Sequence, residues 1–300
     1  MKYPGLEALV PRSRRLVVVG DTQETALVER LIGLEQNAGR RVHLLDELSA
    51  RAPDGVLHLG DLVTYGSSAG HWRRLDALLA PLRAQHIPML PVVGNHDRML
   101  LPRLGLGQLA QRFPVLATRT WYDFRFCDVA FVALDSNSVT GPVASEQLRW
   151  LGEVIAGAQA DPDIKAIVAY WHHPPMSNSR IVRPSRYARE RFLPALARSP
   201  KMLAVFTGHA HAYEHFVVAG VHCFVSGGGG GPRHTLETRP DRWRARDLFA
   251  GGPRRFMHFL ELELGADALT VRVVRMADDE TFRFDAADEV TLRYPPWQSR

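Results

Sequence analysis

This sequence predicts an α/β fold, and three observations predict it. Short apolar runs at 16–20, 56–59 and 89–93 are long enough for strands and too short for helices. Between them, 25–50 and 69–84 repeat apolar residues every three or four positions, which is the helical period. Asp21, Asp61 and Asn95 each follow a glycine just past a strand end, the edge of an open α/β sheet where ligands collect. A β-α-β-α-β order of this kind implies a parallel sheet, because each connection is long enough to cross over.

The later elements continue the pattern. Residues 124–126 and 129–134 predict antiparallel strands, 144–158 a helix, and 164–171 and 203–207 two further strands, the first of them buried. His172 and His209 follow those last two strand ends. Strand-like runs at 216–219 and 222–226 precede five glycines at 227–231 and a basic loop. A hairpin over 256–264 and 268–274 then turns at Gly265-Ala266-Asp267. With no internal repeat and no linker, the expectation is a single domain over 1–300, its core running from about 14 to 295.

At 300 residues, 46% hydrophobic and 23% charged, the chain is long enough to bury a substantial core. Its longest apolar runs fall far short of the roughly 18 residues of a membrane span. The N-terminus carries Lys2, Glu7, Arg12, Arg14 and Arg15 without an apolar signal-peptide core, so a cytoplasmic location is expected. Cys127 and Cys223 sit in apolar strand-like runs and read as buried free thiols rather than a disulfide. The 37 basic residues exceed the 32 acidic ones by +5, a modest excess that suits an anionic substrate.

Five islands place metal-ligand side chains along the whole chain: Gly20-Asp21-Thr22-Gln23, Gly60-Asp61, Gly94-Asn95-His96-Asp97, His172-His173-Pro174 and Gly208-His209-Ala210-His211. Oxygen donors come first and imidazoles later, a mixed set that suits Mn, Fe, Zn or Co rather than calcium or an iron–sulfur cluster. Taken singly, Asp21 and Asp61 read as turn formers or helix caps and Asn95 as an Asx-turn residue. Independent turn chemistry does not explain the ordered set. That set resembles the calcineurin-like metallophosphoesterases, most closely the branch around the purple acid phosphatases, over about 16 to 293.

The resemblance implies a four-layer α/β/β/α sandwich of two mixed β-sheets flanked by helices, with two metal ions at one edge. It implies that Asp21, Asp61 and His211 hold one ion, and that Asp61, Asn95, His172 and His209 hold the other, with Asp61 bridging. His96 would contact the phosphoryl group or protonate the leaving oxygen, with Asp97 orienting its ring. The resemblance also puts His172 in the ligand position, since it stands two residues before Pro174 as the family's ligand stands before its proline. His173 is open to either a ligand or a substrate-contact role.

One position departs from the family. Many members carry Asp-x-His at the first island, where this chain has Gln23, while the purple acid branch uses a tyrosine three residues after the bridging aspartate. Tyr65 stands four residues after Asp61 and would reach a metal only if the loop bulges. Gln23 would supply a weak amide-oxygen ligand or hydrogen-bond a metal-bound water. The run 227–231 reads as a rim loop of the site or as a plain turn, and it lacks the context of a nucleotide P-loop.

The function these residues imply is hydrolysis of phosphomonoesters or phosphodiesters, two ions activating a shared water that attacks phosphorus in line. One rival is a nuclease or cyclic-nucleotide phosphodiesterase, suggested by the basic stretch Arg233, His234, Arg239, Arg242, Arg244, Arg246, Arg254 and Arg255 around Trp243. The other is a non-catalytic scaffold on the same fold, suggested by the histidine missing at Gln23. A small phosphorylated substrate is the favoured partner, nucleic acid the less favoured one, and a membrane is not expected. Loops 177–186 and 233–255, where specificity would reside, carry no diagnostic motif.

Overall fold

The run Leu16-Val17-Val18-Val19 is β-branched and almost wholly buried, and it lies inside β1 (Arg15–Val19) at the middle of a sheet. The computed structural model describes residues 2–237, 239 and 246–296. In the first sheet β1 pairs in parallel with β2 (Gly55–His58), and β2 with β3 (Met89–Pro91). On its other side β1 pairs antiparallel with β10 (His258–Leu264), which continues to β11 (Ala268–Met276) and β12 (Phe284–Arg293).

The second sheet runs in the order β4 (Tyr122–Phe126), β5 (Val129–Ala133), β6 (Ala166–Trp171), β7 (Met202–Thr207), β9 (Val221–Ser226), β8 (Tyr213–Val218). Strands β5, β6, β7 and β9 are parallel, and antiparallel β4 and β8 close the two edges.

Both faces of the second sheet are buried, which explains why its strands read as continuous apolar runs. In β6, Ala166, Val168 and Tyr170 pack into the core shared with Val18, Leu57 and Leu260 of the first sheet. The alternate residues Ile167, Ala169 and Trp171 face a second core built with Leu151 and Ile155 of α6 (Gly141–Ala160) and Leu196 of α7 (Leu193–Leu196). The first core also takes Leu44, Leu45 and Leu48 of α2 (Ala38–Ala50) and Trp72 and Leu75 of α3 (Ala69–Leu78). Helix, sheet, sheet and helix make the expected four layers.

The helical stretches are more broken than their periodicity predicts. Residues 25–50 split into α1 (Leu27–Leu31) and α2, because Gly33 takes a left-handed φ of 78° and the Leu34 N–H caps the Glu29 carbonyl at 2.9 Å. Residues 69–84 split into α3 and α4 (Ala80–Ala84), where Pro81 occupies the first turn of the new helix. Helix α5 (Pro102–Arg112) is absent from the sequence reading because Gly105 and Gly107 dilute its signal. Strand β12 escaped it because its outward charges, paired as Arg272–Glu289 and Arg275–Asp285, mask the alternation. The hairpin at Gly265 forms as expected, with Gly265 N–H donating to the Ala268 carbonyl at 2.8 Å.

Both cysteines are free, but only Cys223 lies in a strand; Cys127 occupies the β4–β5 turn at a φ of 55°. No helix among the described residues is long and apolar enough to cross a membrane.

Candidate metal centre

Five loops at the C-terminal ends of parallel strands converge from the two sheets. Asp21 follows β1, Asp61 follows β2, Asn95 follows β3, His172 follows β6, and His209 and His211 follow β7. Asp21, Asp61 and His209 hold left-handed φ values of 60°, 54° and 66°, which costs of order 1–3 kcal/mol for each such residue. Backbone bonds across the loops retain this strain. Asp21 N–H donates to the Gly60 carbonyl at 3.0 Å, Gly208 N–H to the His172 carbonyl at 2.9 Å, and His209 N–H to Asp21 Oδ2 at 2.9 Å. Gly94 is obligatory here, since a Cβ would lie 2.1 Å from Asp61 N and Oδ1.

His172 and His211 are oriented in the same way. His172 Nδ1 donates to the Leu59 carbonyl at 2.8 Å, and His211 Nδ1 to the Pro232 carbonyl at 2.7 Å. In the neutral rings each Nε2 then turns a lone pair toward oxygen atoms. His172 Nε2 lies 3.0 Å from Asn95 Oδ1 and 3.3 Å from Asp61 Oδ2, while His211 Nε2 lies 3.4 Å from Asp21 Oδ1 and 3.1 Å from the Gln23 amide. The other end of that amide lies 3.1 and 3.0 Å from the Asp21 and Asp61 carbonyls. Only an amide nitrogen satisfies two carbonyls, so the Gln23 oxygen faces His211.

Lone pair facing lone pair requires a proton or a cation between them. Burial lowers the basicity of His172, but the Asp61 carboxylate more than reverses this and lifts its pKa to about 9. At His211 burial likewise lowers the basicity, and the bond to Asp21 outweighs it and shifts the pKa upward. The donor spacings suit a metal ion. Bonds of about 2.1 Å place neighbouring ligands about 3.0 Å apart in an octahedron and about 3.4 Å apart in a tetrahedron, the span observed here. Donor atoms of Asp21, Asp61 and His172 all lie within 4.8 Å of one another, which puts Asp61 between the two cradles. Its Oδ1 accepts the His96 N–H at 2.7 Å, which fixes the carboxylate's orientation.

The profile of the calcineurin-like phosphoesterases matches residues 14–213, two thirds of the sequence. The chain belongs to that family. No curated protein gives a significant match. Among solved structures, purple acid phosphatase PPD1 from yellow lupin (Lupinus luteus) seeds aligns with a TM-score of 0.73 at 17% identity, over 93% of this chain and 53% of that one. This chain therefore spans about half the length of the lupin protein. GAP50, the anchor in the inner membrane complex of Plasmodium, aligns at 0.66 and 15% identity over 93% and 88% of the two chains. A dimetal phosphatase from Danio rerio aligns at 0.62 and 17% over 94% and 99%. At these identities the likeness establishes the fold.

Other residues expected from the family pattern are placed differently. His96 Nδ1 donates to the Thr64 carbonyl at 2.9 Å, so that carbonyl, and not Asp97, orients the ring. Asp97 is fully buried and accepts the N–H groups of Asp61, Leu62 and Gly94, each at 2.9 Å, which ties the second metal loop to the third. Burial and the Asp61 charge push its pKa up to about 7. Tyr65 does not join the cluster: its ring packs 5.3 Å from that of His71, in a cleft shared with Glu24, Arg30 and Arg74. Among the described residues no hydrogen bond ties its hydroxyl to the candidate ligands, in keeping with the extra residue in the loop. The run 227–231 is a wall of the site, since Gly231 N–H donates to the Asp21 carbonyl at 3.0 Å and a Cβ there would lie 2.4 Å from the His211 ring.

His173 has a partner that sequence reading could not supply. The Ser136 hydroxyl accepts the His173 N–H at 3.0 Å and lies 2.9 Å from Nδ1. When that hydroxyl gives its own proton to Nδ1, the ring proton resides on Nε2. Burial, then the neighbouring His172, hold this imidazole neutral with a pKa lowered to about 3. His172, His173 and His209 bring ring nitrogens within 4.8 Å of one another. His209 is also kept neutral, by burial and then by His172.

Among the described residues of the basic loop, several arginines are held in ion pairs. Arg233 pairs with Glu35 at 2.5 Å and Asp278 at 2.6 Å, Arg254 with Glu35 at 3.2 Å, and Arg255 with Asp247 at 2.7 Å. His234 stacks 4.2 Å from His211 and accepts its N–H at 3.2 Å, a role that nothing in its sequence neighbourhood signals. Arg242, Trp243 and Arg244 lie outside the described residues.

Proposed function

We propose that the chain is a binuclear metallohydrolase of phosphomonoesters or phosphodiesters. The carrying observation is the pair of N/O cradles facing Asp61: Asp21, Gln23 and His211 on one side, Asn95, His172 and His209 on the other. The donor mix suits Mn, Fe, Zn or Co. Two such ions, when bound, supply Lewis acidity and a water of lowered pKa for in-line attack on phosphorus.

The protein groups divide the remaining work. The Leu59 and Pro232 carbonyls fix the ligand tautomers through Nδ1, so no ring reorientation is needed on metal binding. His173 offers Nε2–H to a phosphoryl oxygen, a neutral donor that leaves the ligand set intact. His96, held through Nδ1, presents Nε2 to the leaving oxygen; as the imidazolium it would give its Nε2 proton to that oxygen and end as the neutral Nδ1–H ring, worth roughly 10²- to 10⁴-fold. The packing of Tyr65 against His71 favours a centre without a tyrosine ligand.

The rival reading, a non-catalytic scaffold on the same fold, draws on the histidine missing at position 23. The Gln23 oxygen at ligand spacing from His211 supports catalysis instead. The test is turnover of p-nitrophenyl phosphate and bis(p-nitrophenyl) phosphate by wild type and Asp61→Ala. The proposal expects hydrolysis of at least one ester by wild type and a loss of 10³-fold or more in a folded variant, on the scale of a lost essential group. Equal turnover by the two proteins refutes it.

A further inference from the structure

We propose that an arginine-lined cleft beside the metal centre holds a second phosphate of the substrate, so that the substrate class is small molecules carrying a phosphate in addition to the ester that is cleaved. This rests on the phosphoesterase reading above. The segment 180–191 carries Arg180, Arg183, Arg186, Arg189 and Arg191 against one acid, Glu190. Glu190 is taken by Arg186 at 2.8 Å. Arg180 and Arg183 are exposed and line a cleft of about 770 Å³ together with Ser179, Arg189 and Glu237, the last paired with Arg239 at 2.9 Å. Neither Arg180 nor Arg183 makes a side-chain hydrogen bond or ion pair among the described residues.

The cleft adjoins the metal centre. Ser179 Oγ lies 3.1 Å from His234 Nδ1, and the His234 ring stacks on His211 at 4.2 Å, so a single imidazole separates the cleft wall from a metal-ligand candidate. Its loop is pre-organised. Buried Glu214 accepts the Ser177 hydroxyl at 2.6 Å and the Asn178 N–H at 2.8 Å, and Ser179 Oγ accepts the N–H groups of Ile181 and Val182 at 3.2 Å. The facing segment is stitched on by Arg180 N–H to the Thr235 carbonyl at 3.0 Å and Glu237 N–H to the Asn178 carbonyl at 2.7 Å. A rigid loop loses little entropy on binding.

Guanidinium groups match phosphate oxygens in a fixed fork, and two of them compensate a dianion. The volume falls within the roughly 300–1,000 Å³ of small-molecule pockets, whereas nucleic acid tracks an extended basic groove. Arg233 and Arg255 are held in ion pairs, whereas among the described residues Arg180 and Arg183 leave positive charge facing this cleft.

The test compares fructose 1,6-bisphosphate with fructose 6-phosphate, using p-nitrophenyl phosphate as reference, in metal-loaded wild type and Arg180→Gln/Arg183→Gln. Calorimetric binding of both sugars is measured on the same samples. The proposal expects wild type to favour the bisphosphate at least tenfold in kcat/KM and in affinity. The variant should lose that preference through KM, with p-nitrophenyl phosphate kinetics unchanged. Equal preference in the two proteins, or an equal loss on all three substrates, overturns it. So does a single-stranded oligonucleotide that binds wild type tightly and loses this affinity in the variant, which would make the cleft part of a nucleic-acid surface. If no ester is turned over, the phosphoesterase reading fails, while the calorimetric comparison still decides whether the cleft holds a second phosphate.

Discussion

The amide of Gln23 spans two main-chain carbonyls at one end, Asp21 at 3.1 Å and Asp61 at 3.0 Å, and faces His211 Nε2 at 3.1 Å with the other. It thus occupies the position of the missing histidine with an oxygen donor whose direction the backbone fixes. Gln23→Leu should weaken one of the two metal sites at least tenfold, about 1.4 kcal/mol, and leave the other unchanged. Gln23→His should bind that ion more tightly than wild type. Calorimetric titration of metal-stripped protein measures both, and identical affinities across the three proteins would exclude Gln23 from the site.

Asp97 determines whether the two metal loops stay together. Its carboxylate satisfies three buried N–H groups, and Asp97→Ala leaves all three unpaired at about 1–3 kcal/mol each before relaxation. A loss of about 3–5 kcal/mol in denaturant unfolding is expected, accompanied by a fall in metal content. A stable, fully metallated Asp97→Ala protein would show that the loops hold themselves.

His173 and Ser136 form a tautomer pair. His173→Phe removes the Nε2–H donor and should lower kcat/KM by about 10²- to 10³-fold while both ions remain bound, the cost of losing a preorganised donor. Ser136→Ala should cost less, because the ring can still adopt the productive tautomer part of the time. Loss of an ion in His173→Phe would instead mark His173 as a ligand.

Glu214 gives the protein a pH signature. Burial pushes its pKa up from 4.5 to about 7, although the bonds from Ser177 and Asn178 oppose that rise. The folded state therefore binds this proton more tightly than the unfolded chain does. Its contribution is fully present below about pH 4.5 and is lost as pH rises toward 7, at most about 3 kcal/mol in all. Glu214→Gln preserves the acceptor to Asn178 and should be more stable than wild type at pH 8, with the difference vanishing near pH 4. Parallel stability curves for the two proteins would refute the assignment.

Much of this was readable beforehand, for identifiable reasons. Asp21, Asp61, Asn95, His172, His209 and His211 each follow a strand end, and parallel strands deliver their C-terminal ends to one edge. The Gly33 and Pro81 breaks were visible as residues but were outvoted by apolar periodicity. Contacts across large sequence separations were not legible: Ser136 to His173, Thr64 to His96, Ser179 to His234. These depend on how the loops pack, and no local pattern encodes them. Asp97 shows the same limit, since its place beside His96 in the chain suggested a ring partner while the fold directs it into backbone amides.

The central claim is that two metal ions sit around Asp61, and counting them tests it most directly. Metal-stripped protein reconstituted separately with Mn, Fe, Zn and Co is analysed for bound metal and for p-nitrophenyl phosphate turnover in the same sample. Two ions per chain with at least one metal, turnover rising with the second ion, and no more than one ion in Asp61→Ala are the predicted results. A wild-type chain that saturates at one ion or none, or an Asp61→Ala chain that still holds two, would contradict it.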